Sequence, residues 1–259
     1  MFNEYSKYSL TLVFLLILQS FGSVQAGTLQ EIQARGKLVV GIKDDSAPLG
    51  FYNAQGELVG LEIEIAREIA QEILGSRQAV EFIPLLNQDR LNSLIEGKVD
   101  LVIADLAMTP SRLRLVNFSD FYYLDGTGML TNRAEIVSSE NLSGKKIAVL
   151  EGSTAIDALK FNLPKTIKLI PVKSYQEGLD LLATKQVDAI AADRSILVGW
   201  GNDKPSYHLL PEMFSIAPLA VALPKGEAYF KLQEQVSKAI KAKKESLWLK
   251  QHLIYWGLP

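Results

Sequence analysis

The sequence predicts an α/β fold made of two similar lobes. Apolar strands and amphipathic helices alternate along the chain, an order typical of parallel sheets. An internal repeat is also visible, because KVDLVIAD at 98–105 returns as QVDAIAAD at 186–193. The length of 259 residues is enough for two modest domains. We therefore expect two parallel-rich sheets, each flanked by helices.

The first half of the chain contains three strands that alternate with two helices. The strands are short apolar runs bounded by turn residues. The helices carry apolar residues at three- and fourfold spacing, and Gly75 closes the longer one. In chain order the predicted elements are the strand 37–43, the helix 61–74, the strand 79–85, the helix 88–96 and the strand 99–104.

The second half repeats this order. Its predicted elements are the strand 145–150, the helix 153–161, the strand 166–172, and a helix followed by a strand within 175–193. Asp105 corresponds to Asp193, 88 residues later. Because the repeat occurs only twice, it indicates two equivalent lobes and argues against a solenoid, which needs at least three stacked units.

A ligand site is expected where the loops that follow the strands of the two lobes face each other. In open α/β sheets, ligands bind beyond the carboxyl ends of the strands, close to helix N-termini with free N–H groups. The loops concerned are 42–47, 104–112, 150–155 and 193–196. The ligand therefore belongs in the cleft between the lobes.

Composition and motifs exclude several classes of function. The net charge of −2 gives no general attraction to nucleic acid. The chain has no cysteine and no GxSxG, HExxH, Walker or GxGxxG motif, and its two histidines, His208 and His252, lie outside the cleft loops. We expect no cofactor, no metal site and no enzymatic activity.

The N-terminus predicts export. Residues 1–26 combine an apolar stretch, 10–18, with small residues before a cleavage point after Ala26, which is the layout of a signal peptide. The alternative is an uncleaved membrane anchor, although the stretch is short for a span. Without cysteine the protein has neither disulfides nor a lipid-carrying cysteine at the cleavage point. We expect a monomer free in the periplasm.

Arg112 is the first candidate for a ligand contact. Thr109 is a good N-cap and Pro110 suits the first helical position, so a helix is predicted to begin here with its positive end toward the cleft. A guanidinium in the first turn can clamp a carboxylate with two hydrogen bonds. The alternative is a surface arginine that covers the helix start.

The second lobe offers complementary groups. Gly152 lets the backbone approach a ligand, and the hydroxyls of Ser153 and Thr154 can donate to an anion. Asp193, at the end of its strand, can accept from an ammonium group. The alternatives are a simple helix cap and an ion pair of Asp193 with Arg194.

The whole chain after the signal peptide resembles a known family. The segments LVVGIKDDSAPLGFYNAQGELVGLEIEIAREIA, EGKVDLVIADLAMTPSRLRLVNFSDFYY, LSGKKIAVLEGST and QVDAIAADRSIL are similar, in order, to the family 3 extracellular solute-binding proteins. The resemblance implies a periplasmic receptor that delivers an amino acid to an inner-membrane ABC permease. It also implies a type II Venus-flytrap fold, with one lobe of residues 27–125 and 218–259 and another of 126–217.

The resemblance also implies roles for single residues. It assigns the ligand α-carboxylate to Arg112, further donors to Ser153 and Thr154, and the α-ammonium to Asp193. Two positions depart from the family pattern, because Asp105 replaces a smaller residue and Ala107 replaces a hydroxyl.

A further departure concerns the aromatic residue that often stacks on the ligand. Ser46 stands at that position in this chain. Either Phe51, Tyr52 or Tyr123 compensates, or the ligand is not an ordinary α-amino acid.

Basic residues predict the ligand side chain. Lys43 and Arg90 stand where the acidic-amino-acid branch of the family carries basic residues. Together with Arg112 they give three positive charges against Asp105 and Asp193, so a ligand of charge near −1 would balance them. Glutamate or aspartate is the first choice. Asp105 weakens this preference, because its carboxylate can neutralise one of the three cations. Glutamine is therefore the next choice.

Two other functions stay open from the sequence. A cyclohexadienyl-dehydratase-like enzyme would use Asp105 as a buried acid whose pKa is raised. A receptor for another small solute, or one that serves signalling, would share the same cleft.

Overall fold

Helices and strands alternate through the part of the chain that the computed structural model describes, residues 26–201 and 204–258. The predicted signal peptide lies outside these ranges except for Ala26. The helices are α1 (Leu29–Arg35), α2 (Leu61–Leu74), α3 (Arg90–Ile95), α4 (Pro110–Leu113), α5 (Ala155–Asn162), α6 (Tyr175–Ala183), α7 (Arg194–Gly201), α8 (Phe230–Glu245) and α9 (Trp248–Tyr255). The strands are β1 (Leu38–Ile42), β2 (Asp45–Ser46), β3 (Gly50–Tyr52), β4 (Leu58–Val59), β5 (Val80–Pro84), β6 (Leu101–Ile103), β7 (Asn117–Asp125), β8 (Thr127–Thr131), β9 (Lys146–Leu150), β10 (Lys168–Val172), β11 (Ala189–Asp193), β12 (His208–Leu209) and β13 (Ala217–Leu223).

Two five-stranded sheets form the two lobes. The first lobe has the strand order β5-β1-β6-β13-β7 and the second has β10-β9-β11-β8-β12. In each, the first three strands are parallel, and the last two are added through antiparallel pairs. The equivalent order of the parallel strands confirms the predicted pair of similar α/β lobes. A small third sheet, β2-β3-β4, lies beside the first.

The chain crosses between the two sheets at Gly126. Strand β7 belongs to the first sheet and β8 to the second, and only Gly126 separates them. A Cβ atom at Gly126 would lie 1.9 Å from the carbonyl oxygen of Ser215, which belongs to the segment that returns to the first lobe. Glycine is therefore required where the two crossing segments meet.

Each sheet is buried on both faces. Helix α2 packs on the first sheet through Leu61, Ile65 and Ile69, which are almost fully buried, as their fourfold spacing predicts. Gly75 ends α2 in a left-handed conformation, as expected. Separate clusters of buried apolar residues lie on the two faces of both sheets. The sheets are therefore rigid supports for the loops at their carboxyl ends.

Two helix starts differ from the prediction by two residues. Helix α3 begins at Arg90 instead of residue 88, and α5 begins at Ala155 instead of residue 153. In both cases a turn comes first, because the N–H of Asp89 donates to the carbonyl of Leu86 and that of Ser153 to Leu150. These turns place residues that precede each helix, Asn87 before α3 and Ser153 and Thr154 before α5, on the side of the cleft.

No helix within residues 26–201 and 204–258 has the combination of length and apolar character that crossing a membrane requires.

Candidate functional site

A cavity of about 820 Å³ lies between the two lobes. Its walls come from the loops that follow all six parallel strands, three in each lobe. All four loops predicted to face the cleft contribute to it, namely 42–47, 104–112, 150–155 and 193–196. The cavity thus lies at the carboxyl ends of the strands, where the ligand site was predicted.

Arg112 reaches the cavity from the first turn of α4. The Thr109 hydroxyl accepts from the backbone N–H of Arg112 at 3.3 Å, and Pro110 takes the first helical position, as predicted. One guanidinium nitrogen, Nη1, donates to the carbonyl of Ala107 at 2.7 Å, which fixes the side chain. Burial and the nearby Arg90 lower the pKa of Arg112, whereas Asp105 and Asp193 act in the opposite direction. The side chain is thus a fixed cation at the wall of the first lobe.

The second lobe presents hydroxyls and a carboxylate. Ser153 and Thr154 line the cavity where β9 leads into α5. The Oγ atom of Ser153 is buried and forms no hydrogen bond with the described residues, and the side chain of Thr154 does not cap α5. Asp193 is the last residue of β11 and also lines the cavity. This arrangement offers donors and an acceptor opposite Arg112.

Asp105 lines the cavity in an unusual backbone conformation. Its φ of 51° is left-handed, which is uncommon for a residue other than glycine. The backbone N–H of Asp105 donates to Oε1 of the fully buried Glu62 at 2.7 Å, and the Tyr122 hydroxyl donates to the same oxygen. Glu62 therefore holds Asp105 in place from behind the cavity.

Burial is the main cause of the raised pKa of Glu62, which is about 7. The carboxylate of Asp105 raises it further, and the hydrogen bond from Tyr122 lowers it. The second oxygen, Oε2, has no hydrogen-bond partner within the described residues. Glu62 can therefore stay protonated near neutral pH while Oε1 accepts both hydrogen bonds.

Removing the Glu62 acceptor is expected to destabilise the protein. Glu62→Leu leaves the Asp105 N–H and the Tyr122 hydroxyl unpaired, at about 1–3 kcal/mol for each buried group. Glu62→Gln keeps an oxygen acceptor and is expected to retain most of the free energy of unfolding. Urea denaturation of the two variants at pH 7 measures the difference. Equal losses for both would show that these hydrogen bonds do not matter.

Three of the aspartates that line the cavity, Asp105, Asp125 and Asp193, repel one another. The pKa of Asp193 is raised by burial and by the charges of Asp105 and Asp125, and Arg90 and Arg112 oppose the shift. The pKa of Asp105 is raised by burial and by Asp125, against Arg90, Lys43 and Arg112. Burial also raises the pKa of Asp125, although the hydroxyl of Ser195 donates to it. These carboxyls share fewer negative charges near neutrality than three free aspartates would carry.

Lys43 and Arg90 line the cavity, but both already have partners. The Nζ atom of Lys43 lies 2.8 Å from Oδ1 of Asp45. Arg90 donates to the carbonyls of Asn87, Ala104 and Asp105 at 3.1, 2.7 and 2.6 Å. Arg90 thus braces the loop after β6 more than it offers itself to a ligand.

The structure corrects the expectation for Phe51. Its ring packs edge-on against Trp256, with centroids 5.8 Å apart, and is not part of the cavity wall. Tyr52 points to solvent and Tyr123 is buried in the core of the first lobe, so neither replaces it. The sheet β2-β3-β4 turns this segment toward the C-terminus of the chain.

Aromatic surface comes instead from the second lobe. Tyr175 and Trp200 line the cavity, and their rings pack edge-on with centroids 5.3 Å apart. The internal repeat contained a signal for Tyr175, because Asn87, which also lines the cavity, precedes it by 88 residues and both lie between equivalent strands and the bodies of equivalent helices. Nothing in the local sequence singled out Trp200.

Asp125 is a further cavity residue that the sequence pattern did not reveal. It ends β7 at the crossing between the lobes and is almost fully buried. Its Oδ1 atom accepts from the N–H groups of Gly126 and Ser195 at 2.8 and 3.2 Å. The sequence predicted residue 125 only as the end of the first-lobe segment 27–125, and the long-range partner Ser195 was not predictable. Within the described residues, no group of three or more acidic or histidine side chains is placed to hold a metal ion.

The cavity between two equivalent lobes can be compared with known proteins. The family model described as bacterial extracellular solute-binding proteins, family 3, matches residues 38–258. The chain belongs to this family. The match covers both sheets and every residue of the cavity wall, so this family 3 member is a solute-binding protein of ABC transport.

The chain is similar in sequence to two glutamine-binding relatives and in structure to an ancestral solute-binding protein. The ABC transporter glutamine-binding protein GlnH of Bacillus subtilis (strain 168) is 30% identical over 84% of this chain and 80% of the relative. The glutamine-binding protein of Geobacillus stearothermophilus is 31% identical over 78% of each chain. An ancestral cationic amino acid solute binding protein is 30% identical with a TM-score of 0.77, over 89% of this chain and 99% of that structure. Another structure of that ancestor describes it as a precursor of cyclohexadienyl dehydratase.

Proposed function

We propose that this protein captures a polar amino acid, glutamine first, in the interlobe cavity and delivers it to an ABC permease. The observation that carries the proposal is the pair of opposite charges on facing lobes, Arg112 for the α-carboxylate and Asp193 for the α-ammonium. Ser153 and Thr154 add donors beside the carboxylate. A ligand held by both lobes favours the closed arrangement, which is the form that a permease can distinguish from the empty protein.

The charges of the cavity favour a neutral ligand side chain. The sequence alone counted Lys43, Arg90 and Arg112 against two aspartates. The cavity wall also contains Asp45 and Asp125, which makes four aspartates against these three cations, with the exposed Glu151 and Lys173 offsetting each other. With every one of these groups ionised, the excess of positive charge that argued for glutamate is therefore absent. Both relatives described above are named for glutamine.

The proposed setting is the periplasm, after removal of residues 1–26. We propose a monomer with one lobe of residues 27–125 and 218–259 and another of 126–217. The polypeptide crossing at Gly126 and the membership of β13 in the first sheet support these bounds.

Glutamine is expected to bind at least about tenfold more tightly than glutamate, a difference of about 1.4 kcal/mol. The measurement is isothermal titration of the purified mature protein with glutamine, glutamate, aspartate, arginine and cysteine. At a concentration about 100 times its Kd, the true ligand should add about 2.7 kcal/mol to the free energy of unfolding. A preference for glutamate would restore the prediction from the sequence, and no response to any amino acid would contradict the proposal.

We further propose that the cavity binds without turnover. The raised pKa of Asp105, like that of Asp193, suits an acid catalyst, and the dehydratase lineage of the ancestral structure makes the comparison relevant. Incubation with prephenate is expected to release no phenylpyruvate. Release that disappears in Asp105→Asn would identify an enzyme instead.

A further inference from the structure

Helix α7 of the second lobe meets the loop after β2 of the first lobe across the cleft. The contact is made by Gly199. A Cβ atom built on Gly199 would lie 2.7 Å from the carbonyl oxygen of Ala47, 3.2 Å from its carbonyl carbon and 3.6 Å from Cδ of Pro48. A side chain of any size at position 199 would therefore collide with backbone of the other lobe.

Neither side of this contact can easily move away within its own lobe. The carbonyl of Pro48 accepts from the N–H of Leu61, which ties the loop to the start of α2 at 3.1 Å. Helix α7 is fixed in the second lobe by Arg194, whose N–H donates to the carbonyl of Gly126 at 2.9 Å and whose Nη1 donates to that of Leu210 at 3.1 Å, and by the buried side chain of Leu197. The collision would thus be relieved by separating the lobes.

Both elements also carry walls of the cavity. Ala47 lies on the first-lobe side, and Ile196 and Trp200, on either side of Gly199 in α7, lie on the second-lobe side. Asp193 immediately precedes α7. The distance between α7 and the loop therefore sets how closely Asp193 approaches Arg112.

We propose that Gly199 is a positioning residue that sets the limit of lobe closure. The absence of a side chain lets α7 reach the Ala47–Pro48 backbone, and any larger residue acts as a wedge that holds the cleft open without touching the ligand. The proposal deepens the proposed function, since closure on the ligand is what Gly199 permits. A variant that populates the closed form less binds more weakly in proportion to the lost population.

Gly199 could matter only to the stability of helix α7, and a second glycine in the same helix provides a control for this explanation. If Gly199 mattered only to the helix, alanine would improve it, because alanine has the higher helix propensity. Gly201 lies one residue beyond Trp200 in the same helix, and a Cβ there would meet only Cδ1 of Leu130, in its own lobe, at an ordinary 3.4 Å. Gly199→Ala and Gly201→Ala are therefore the same change with and without the contact between lobes.

The test measures lobe separation and affinity together. The chain has no cysteine, so spin labels attach only at the introduced Gln55→Cys in the first lobe and Lys160→Cys in the second, both exposed positions. Pulsed electron resonance gives the distance distribution with and without saturating glutamine, and calorimetry of the unlabelled proteins gives Kd. Gly199→Ala is expected to shift both distributions toward the open form and to weaken glutamine binding about tenfold. Gly201→Ala should match the parent.

The outcomes separate the two proposals. A parent protein that ignores glutamine contradicts the proposed ligand, whereas the ligand-free distances still report whether Gly199→Ala opens the lobes. Distances and affinity for Gly199→Ala that equal those of Gly201→Ala would overturn the closure contact. Gly199→Ser, with one more atom, should open the lobes at least as far, so the inference can be tested even if one variant folds poorly. The melting temperature of each ligand-free variant checks folding.

Discussion

Arg112→Ala is expected to weaken ligand binding by at least about thirtyfold, because truncating one member of a buried charge pair costs about 2–5 kcal/mol. The ligand carboxylate would then be enclosed opposite Asp193 without its cation. Arg112→Lys should recover only part of the loss, since an ammonium cannot make the two parallel hydrogen bonds of a guanidinium. Isothermal titration with glutamine gives the three dissociation constants.

The matched control for Arg112 is Arg114→Ala. Arg114 follows α4, is exposed and does not line the cavity, so its removal changes the net charge equally without changing the site. Its dissociation constant is expected to stay within about a factor of two of the parent. If Arg112→Ala bound as tightly as Arg114→Ala, the carboxylate site would lie elsewhere in the cavity.

Affinity for the amino acid is expected to rise with pH across the weakly acidic range. In the ligand-free protein, burial raises the pKa of Asp193, and the nearby Asp105 and Asp125 raise it further. The ligand ammonium stabilises the charged carboxylate, so this pKa falls on binding and a proton is released. Affinity should therefore increase by up to about tenfold per pH unit between about pH 5 and 7 and then level off. This pH range lies above the ordinary pKa of an aspartate.

Calorimetry in two buffers of different ionisation enthalpy counts the released proton directly. Asp193→Asn removes the principal titrating group and should give weaker binding with a flatter pH profile. Asp157→Asn is the control, because Asp157 is exposed on α5 in the same lobe and outside the cavity. A parent profile that is flat from pH 5 to 7 would mean that Asp193 is already charged before the ligand arrives.

Together these changes address both walls of one cavity. Arg112 and Asp105 belong to loops of the first sheet, and Asp193 belongs to the second. In the proposed site, the first lobe supplies the cation for the ligand carboxylate and the second lobe supplies the carboxylate for the ligand ammonium. The free energy of closing the cleft around the ligand therefore depends on both charges at once, which is why either substitution should remove most of the affinity.

Much of the fold could be predicted from local pattern. The fourfold spacing of Leu61, Ile65 and Ile69 corresponds to a buried helical face, and the repeated Val-Asp strand corresponds to equivalent parallel strands β6 and β11. Once the strands and their direction were known, the rule that ligands bind at carboxyl ends of strands placed the cleft loops correctly. The family resemblance supplied the roles proposed for Arg112 and Asp193.

The contents of the cavity were less predictable, because they depend on contacts distant in sequence. Lys43 was expected to bind a ligand carboxylate, yet its ammonium group pairs with Asp45. Phe51 was expected at the ligand, yet its partner is Trp256, about 200 residues away along the chain. Hydrophobic periodicity cannot show which of several nearby groups a long side chain will contact.

The sequence by itself determined two α/β lobes and a ligand site at the carboxyl ends of their strands, since periodicity and the repeat are properties of local order. Only the tertiary structure decided which residues lie next to the charged groups of that site. Folding brings Asp125 to the crossing of the lobes, sets Glu62 behind Asp105, and places Gly199 against the Ala47 carbonyl. Each of these depends on residues far apart in sequence that only packing brings within a few ångströms.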